Sequence, residues 1–346
     1  MSQSTIEPTP TAEVADKPER PSGVRRVIDL IGVQNVSLLI ALAVLVAIIG
    51  SQHPQFFQLS NFRVIGQAVA VVGILAVAQT IVIILGGLDI SVGSAAGLGS
   101  VVSAMVLMSW GGSAGLGILV ALLVGIAAGL LNGAIIVYGR VNPVIATLAT
   151  FAAYKGIAQL LSDGRSQGYT GTDPVFVFIA RGSMMGIPIL IWILILVAVG
   201  AHVMLRYTDI GRNLYAIGGN DVAARLAGIN INKYILAVYA LVGVAAALAG
   251  ILITARTGSG QPVSGSEGLE LQAITAAALG GAALRGGKGT ISGTILAVLL
   301  LGVLDNGITL FDINTFWQNV ARGALLVIAV IIQQARSGER RVGMPA

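Results

Sequence analysis

Long apolar segments, nearly free of charge, dominate this chain. Only 10% of its 346 residues are charged, whereas soluble domains carry about 25%. In a lipid bilayer every backbone N–H and C=O group must find a partner within the protein, so apolar runs of about 20 residues form helices. The runs are continuous and lack the alternation of a membrane β-barrel. They predict an all-α, polytopic membrane bundle of about ten transmembrane helices.

The order and the charge of these runs also predict a topology. Ten spans are expected at residues 34–51, 64–85, 91–109, 115–138, 142–161, 187–205, 234–255, 270–284, 290–305 and 318–334. With the amino terminus inside, 14 of the 20 Lys and Arg residues fall on the inner side, as the positive-inside rule requires. Both termini are therefore expected in the cytoplasm.

Two of the spans depart from a regular helix. Span 91–109 opens directly out of a Gly- and Ser-rich stretch, and span 270–284 is short for a bilayer, so broken or re-entrant helices are expected at both. Glycines four residues apart at 125, 129 and 133 predict a close helix contact. The expected organisation is a disordered cytoplasmic tail (1–30), a transmembrane domain (31–335) and a cytoplasmic carboxyl-terminal tail (336–346).

Composition and incomplete motifs argue against several classes of function. The chain has no cysteine, which excludes disulfides, thiolate metal sites and cysteine nucleophiles. The Gly-x-Ser-x-Gly run at 164–168 would need a histidine beside Ser166, but His202 is expected at the other side of the membrane. The glycine-rich run 279–294 lacks the complete P-loop pattern. We therefore expect no catalytic residue, no metal site, no bound cofactor and no nucleic-acid partner.

The motif GGLDISVGS places a carboxylate at or near membrane depth. Asp89 is the single charged residue between Arg63 and Arg140, and an ionisable group in that setting is a functional hypothesis by default. Asp89 can instead simply cap the next helix, and both interpretations can hold together. The residues predicted to line a translocation pathway are Gly86, Gly87, Asp89, Ser91, Gly93 and Ser94.

A basic polar loop, residues 206–233, separates two apolar spans and is predicted to lie in the cytoplasm. Within it a short helix is expected, capped by Asn220 or Asp221 and ended by Gly228. A membrane protein that displays one organised helix on this side is expected to couple a cytoplasmic engine to a path through the membrane.

Three motifs together resemble the permease subunits of bacterial ATP-binding-cassette importers for monosaccharides, the ribose/xylose/arabinose/galactose family. They are GGLDISVGS at 86–94, GRNLYAIGGNDVAARLAGI at 211–229 and LGGAALRGGKGTISG at 279–293, and the resemblance runs from about residue 36 to 335. It implies a helix that docks on an ATPase subunit. The residues carried over to that contact are Gly218, Gly219, Asn220, Asp221, Ala223, Ala224, Arg225 and Gly228.

The resemblance also implies an assembly in the bacterial inner (plasma) membrane. It implies a second permease chain, ATP-binding subunits that hold ATP and Mg²⁺, and an extracytoplasmic sugar-binding protein. From the residues alone, the outer loops near 162–186 and 256–268 are expected to receive a delivering protein, and lipid surrounds the spans.

Three alternatives stay open at this point. An ion-coupled secondary transporter would use Asp89 or Glu270 to carry a proton or sodium ion. An intramembrane hydrolase would use Ser166. A permease of the same class could carry an autoinducer-like furanone, a polyol or a nucleoside.

Overall fold

Within the described residues the regular structure consists of α-helices, one 3-10 helix at Pro54–Phe57 and two short β-ladders. The structure is a computed structural model that describes residues 32–108, 110–168, 173–263 and 266–337, with side chains as far as Ile331. The predicted tail 1–30 and most of 336–346 lie outside these residues. The helices are α1 Val33–Gln52, α2 Leu59–Leu85, α3 Val92–Met108, α4 Ala114–Val137, α5 Pro143–Ser162, α6 Pro174–Arg181, α7 Ile189–Tyr207, α8 Asp209–Gly219, α9 Asp221–Leu226, α10 Ile231–Thr257, α11 Leu269–Leu279, α12 Ile291–Leu310 and α13 Phe316–Ser337. The antiparallel strand pairs are β1 Gln167–Gly168 with β4 Ser259–Gly260, and β2 Ser183–Met184 with β3 Ile187–Pro188.

The apolar helices correspond to the predicted spans. Seven of the described helices are long and apolar enough to cross a membrane, namely α1, α2, α4, α5, α7, α10 and α12. Three shorter apolar helices, α3, α11 and α13, complete the set. The predicted all-α polytopic bundle is therefore confirmed. The two spans expected to be irregular are short, with 17 residues in α3 and 11 in α11.

Glycines bring α4 and α10 close together at the centre of the bundle. A Cβ atom built on Gly125 would lie 2.6 Å from Ala247 Cβ, and one on Gly243 would lie 2.9 Å from the Gly129 nitrogen. Gly133 continues the same face against the backbone of Leu236. Close backbone approach gives the van der Waals contact that holds helices together in lipid, so the predicted glycine face has a packing role.

The segment between α10 and α11 runs back into the bundle beside α3. Its contacts with α3 move progressively towards the start of that helix: Gly260 on Ala104, Pro262 on Gly97 and Ser266 on Gly93. The Gln261 N–H donates to Ser100 Oγ at 2.9 Å, which satisfies backbone that would be costly if exposed to lipid. In the expected surface loop at 256–268, Gly260, Pro262 and Ser266 are therefore interior, whereas Arg256, Thr257 and Glu267 are exposed, and α11 begins inside the bundle.

The two short helices α8 and α9 lie between α7 and α10, within the predicted polar loop. We call the end of the bundle that carries α8 and α9 the coupling end. The helix α10 leaves it and reaches β4 after 27 residues, about 40 Å of helix. The β1–β4 ladder therefore marks the opposite end.

Candidate functional site

Side-chain caps define the two helices of the coupling end. The Thr208 hydroxyl accepts from the Gly211 N–H at 3.4 Å and starts α8. Asn220 Oδ1 accepts from the Ala223 N–H at 2.9 Å and starts α9, so the structure selects Asn220 over Asp221 as the cap. Gly228 follows α9 with φ +83°, a left-handed conformation that glycine adopts without strain.

The helix α9 has one buried face and one exposed face. Ala224 is 3% exposed and packs against the bundle, whereas Val222 is 63% exposed and Leu226 is 84% exposed. An exposed apolar pair one helical turn apart is typical of a docking surface. Sequence reasoning did not include Val222 and Leu226 in the contact, although their i, i+4 spacing was a usable signal. Of the eight predicted contact residues, Gly218 is half-buried and Ala224 is buried, and six are exposed: Gly219, Asn220, Asp221, Ala223, Arg225 and Gly228.

Four glycines from three distant motifs meet where α8 ends. A Cβ atom on Gly218 would lie 2.6 Å from the Gly287 nitrogen, and one on Gly286 would lie 2.9 Å from Gly86 Cα. The Gly287 N–H donates to the Ile84 carbonyl of α2 at 2.9 Å. A Cβ atom at Gly218, Gly286 or Gly287 would come within 3.0 Å of backbone atoms, while Gly86 has a left-handed φ of +94°. We call Gly86, Gly218, Gly286 and Gly287 the glycine junction.

The glycine junction joins the coupling end to two apolar helices. In it, Gly218 of α8 meets the last turn of α2 on one side and the turn between α11 and α12 on the other. Tyr215 of α8 strengthens the second contact by donating to the Gly289 carbonyl at 2.8 Å, and burial raises the pKa of its phenol against the opposing effect of Arg206. The end of α8 is therefore in direct contact with α2 and with the α11–α12 turn.

Asp89 is enclosed in the break between α2 and α3, where it is 2% exposed. Its Oδ1 accepts from the Ser91 N–H at 2.8 Å and from Ser91 Oγ at 2.6 Å. Asn132 of α4 donates to its Oδ2 at 3.4 Å and to Ser91 Oγ at 2.9 Å. The Gln79 side-chain amide contacts the Asp89 backbone: its oxygen accepts from the Asp89 N–H and its NH₂ group donates to the Asp89 C=O, both at 3.2 Å. The adjoining space has no room for a water molecule.

The other residues of the predicted pathway lie in separate contacts. Gly86 belongs to the glycine junction, and Gly87 packs against the Tyr239 hydroxyl. Ser94 donates back to the Ser91 carbonyl at 2.9 Å, while Gly93 faces the carboxylate of Glu270. The structure thus brings Asp89 and Ser91 together and distributes the glycines among different neighbours.

The described residues offer no arrangement for hydrolysis or metal binding. Ser166 donates to Gln261 Oε1 at 3.0 Å beside the β1–β4 ladder. The two histidines of the chain lie elsewhere, His53 against Phe311 and His202 against Tyr207. In the part of the chain that the structure describes, no three His, Cys, Asp or Glu side chains are grouped as metal ligands.

Comparison with known proteins agrees with this membrane architecture. The family "Branched-chain amino acid transport system / permease component" matches residues 62–330. The ribose import permease protein of Escherichia coli K12 is 39% identical over 300 residues, which cover 86% of this chain and 93% of that protein. The Bacillus subtilis ribose import permease protein is 37% identical over 308 residues, 88% of this chain and 94% of that protein.

A third relative carries the name of another sugar. The L-arabinose transport system permease protein of Escherichia coli K12 is 34% identical over 312 residues, 88% of this chain and 92% of that protein. No solved structure matches the chain. The resemblance to sugar permeases is confirmed, and the chain belongs to the branched-chain amino acid transport system / permease component family as a multi-pass membrane permease.

Proposed function

We propose that this chain is the membrane-spanning permease subunit of an ATP-binding-cassette importer in a bacterial inner membrane. Its cargo is a monosaccharide delivered by an extracytoplasmic binding protein. The observation that carries this proposal is the glycine junction, because it links an exposed docking helix to two helices of the bundle. The sugar class rests on relatives named for ribose, allose and arabinose import or transport.

The basic residues orient the protein. The coupling end carries Arg206, Arg212, Arg225 and Lys233, which favours a cytoplasmic location. Both chain termini then lie in the cytoplasm, and the opposite end, with the β1–β4 ladder, faces the outside. The binding protein docks there, while the ATP-binding subunit docks on α9 and holds ATP and Mg²⁺.

The energy source follows from the cargo. A neutral sugar carries no charge on which the membrane potential can act, so uptake against a gradient needs ATP or a coupled ion. This chain has no complete nucleotide motif, and ATP hydrolysis belongs to the partner subunit. Movement of α9 is transmitted through the glycine junction to α2 and α11. Rocking of these packed helices, in a pair of permease chains surrounded by lipid, opens the path to one side at a time.

The ion-coupled alternative requires a carboxylate that exchanges a cation with water. Asp89 does not meet that requirement, because Ser91 and Asn132 occupy its oxygens and the space around it is closed. Asp89 instead fixes the turn before α3 through its bonds to Ser91. Glu270, the other carboxylate of this alternative, is 8% exposed and its Oε2 has no hydrogen-bond partner among the described residues, and reconstitution of the chain alone under an ion gradient is the test for it.

The docking surface gives a direct test of the proposed function. The double variant Val222→Ser/Leu226→Ser should weaken binding of the ATP-binding subunit roughly 100-fold, because two exposed apolar side chains lose about 2–3 kcal/mol of burial. Binding is measured with the purified permease in nanodiscs, together with ATP-dependent uptake of labelled D-ribose, D-allose and L-arabinose.

The matched control is Ala216→Ser/Ala227→Ser, which makes two similar changes at exposed positions of the same coupling end. It should bind the ATP-binding subunit as the unaltered chain does. Normal affinity in the Val222→Ser/Leu226→Ser variant would remove α9 from the docking surface.

A further inference from the structure

A cavity of about 600 Å³ opens among α2, α10, α11, α12 and α13. We call it the outer chamber, since its lining comes from the ends of those helices near the opposite end of the bundle. It falls within the 300–1,000 Å³ range of small-molecule sites. The space beside Asp89, by contrast, does not admit water. A solute that enters this chain therefore has room in the outer chamber and none beside Asp89.

The outer chamber is closed towards the coupling end. Its lining reaches no further along the bundle than Val72 in α2 and Val298 in α12. Beyond these residues the two helices are in contact, and the buried hydroxyls of Thr80 and Thr294 share a hydrogen bond of 2.7 Å. The chamber is thus a blind pocket whose floor is the packing of α2 against α12.

Four polar side chains in the chamber wall have hydrogen-bonding atoms without a partner among the described residues, and in two of them these atoms are the buried Asp305 Oδ1 and Arg322 Nε. The Gln272 amide and the Arg256 guanidinium make no side-chain hydrogen bond or ion pair with any described residue. The amide both donates and accepts, whereas the guanidinium donates only. Polar groups in a cavity wall need hydrogen-bond partners, which water or the hydroxyls of a solute can provide.

The carboxylates in the wall are already paired. Asp305 Oδ2 accepts from Arg322 Nη2 at 2.7 Å, and Glu267 Oε1 lies 3.3 Å from Lys155 Nζ. Asp305 Oδ1 and Arg322 Nε remain buried without a hydrogen-bond partner among the described residues, so this ion pair, neutral as a whole, still offers one acceptor and one donor to a solute. The α2 side of the wall is apolar and includes Val69, whereas the sides formed by α12 and α13 add the polar residues Asn306, Thr309 and Gln318. Polar groups on one side and an apolar surface on the other match the hydroxyls and the C–H face of a neutral sugar.

We propose that the outer chamber receives one neutral monosaccharide and that Gln272 and Arg256 hydrogen-bond its hydroxyl groups. This inference rests on the proposed function. The same helices serve both ends: α2 and α11 line the chamber, and α2 and the turn after α11 form the glycine junction. Movement of the coupling end therefore acts on the wall and the floor of the chamber that holds the sugar.

Thiol labelling tests the chamber without relying on transport. The chain has no cysteine, so Ala68→Cys, in the chamber wall, introduces a single thiol. A membrane-impermeant thiol reagent added outside intact cells should label it. The fully buried Ala121→Cys in α4 should stay unlabelled. A sugar at about ten times its dissociation constant should slow labelling about tenfold, because an occupied chamber excludes the reagent.

Uptake by the complete transporter tests the contacts. Gln272→Ala removes no hydrogen bond to a described residue, so the fold should persist. Of D-ribose, D-allose and L-arabinose, the sugar that the unaltered transporter imports fastest is used, and its uptake should fall about five- to tenfold. Ala68→Phe fills the chamber and should lower uptake further. Gln58→Ala, an exposed amide at the same end but outside the chamber, should leave uptake unchanged.

The possible failures are distinguishable. If the unaltered transporter imports none of the three sugars, the proposed function and the chamber's ligand class both fall. If it imports one of them and Ala68→Phe imports it equally well, the chamber assignment alone is overturned. Protection of Ala68→Cys by D-gluconate but not by a neutral sugar would contradict a neutral ligand. Absence of labelling from outside would contradict an outward opening.

Discussion

Gly218→Ala is expected to reduce ATP-dependent uptake at least about tenfold while the chain still inserts into the membrane. The added methyl group would meet the backbone of Ile84 and of Gly287, and backbone cannot rotate away as a flexible side chain can. Overpacking of this kind costs about 1–3 kcal/mol, which is relieved by moving α8 off the glycine junction. Uptake and ATP hydrolysis are measured together in proteoliposomes that contain the complete transporter.

The neighbouring glycine provides the comparison. A Cβ atom on Gly219 would meet nothing within 4 Å, so Gly219→Ala should lose much less uptake than Gly218→Ala. Gly218→Ala should also hydrolyse ATP without matching transport, because the partner subunit still binds α9. Equal and normal coupling in the two variants would show that close approach at the glycine junction is not required.

Asp89→Leu is expected to destabilise the protein severely. The leucine would leave the Ser91 N–H, the Ser91 hydroxyl and the Asn132 amide without their carboxylate partner in a dry interior. Hydrogen bonds to charged groups contribute about 1.5–3 kcal/mol each, so we expect the free energy of unfolding to fall by about 3–5 kcal/mol. Folded proteins typically have an unfolding free energy of about 5–15 kcal/mol in total. Thermal unfolding in detergent and the yield of membrane-inserted chain measure it.

Asp89→Asn is the matched variant, because its amide oxygen still accepts from Ser91. We expect a smaller decrease in the free energy of unfolding, about 1–2 kcal/mol, and measurable uptake. The pair separates a structural role from a role in transport. If Asp89→Leu unfolds at the normal temperature but no longer transports, the carboxylate acts on the cargo or on a coupled ion.

The spans and their breaks could be predicted from sequence because each depends on local properties. Continuous apolar runs are sufficient to place membrane helices, and Gly86 and Gly87 interrupt one such run just before Asp89. The position of α9 also follows locally, from Asn220 as a cap and from Gly228 beyond its end. These features need no knowledge of the tertiary fold.

Other features depend on contacts between distant residues, which one sequence does not reveal. Gly86, Gly218 and Gly286 are far apart in the chain, and only the fold shows that they meet. Gly260, Pro262 and Ser266 belong to a segment with the composition of a surface loop, yet these residues pack against α3. Whether Ala224 or Leu226 faces outwards depends on how α9 rests on the bundle. The outer chamber likewise combines residues of five helices.

The central claim is that this bundle moves sugar only when another polypeptide drives it from the cytoplasmic side. Reconstitution of the purified chain in liposomes, with and without the ATP-binding subunit and the binding protein, tests this most directly. The account predicts concentrative, ATP-dependent accumulation of a labelled monosaccharide in the complete system, and none with the chain alone under a proton or sodium gradient. Accumulation by the chain alone would contradict it.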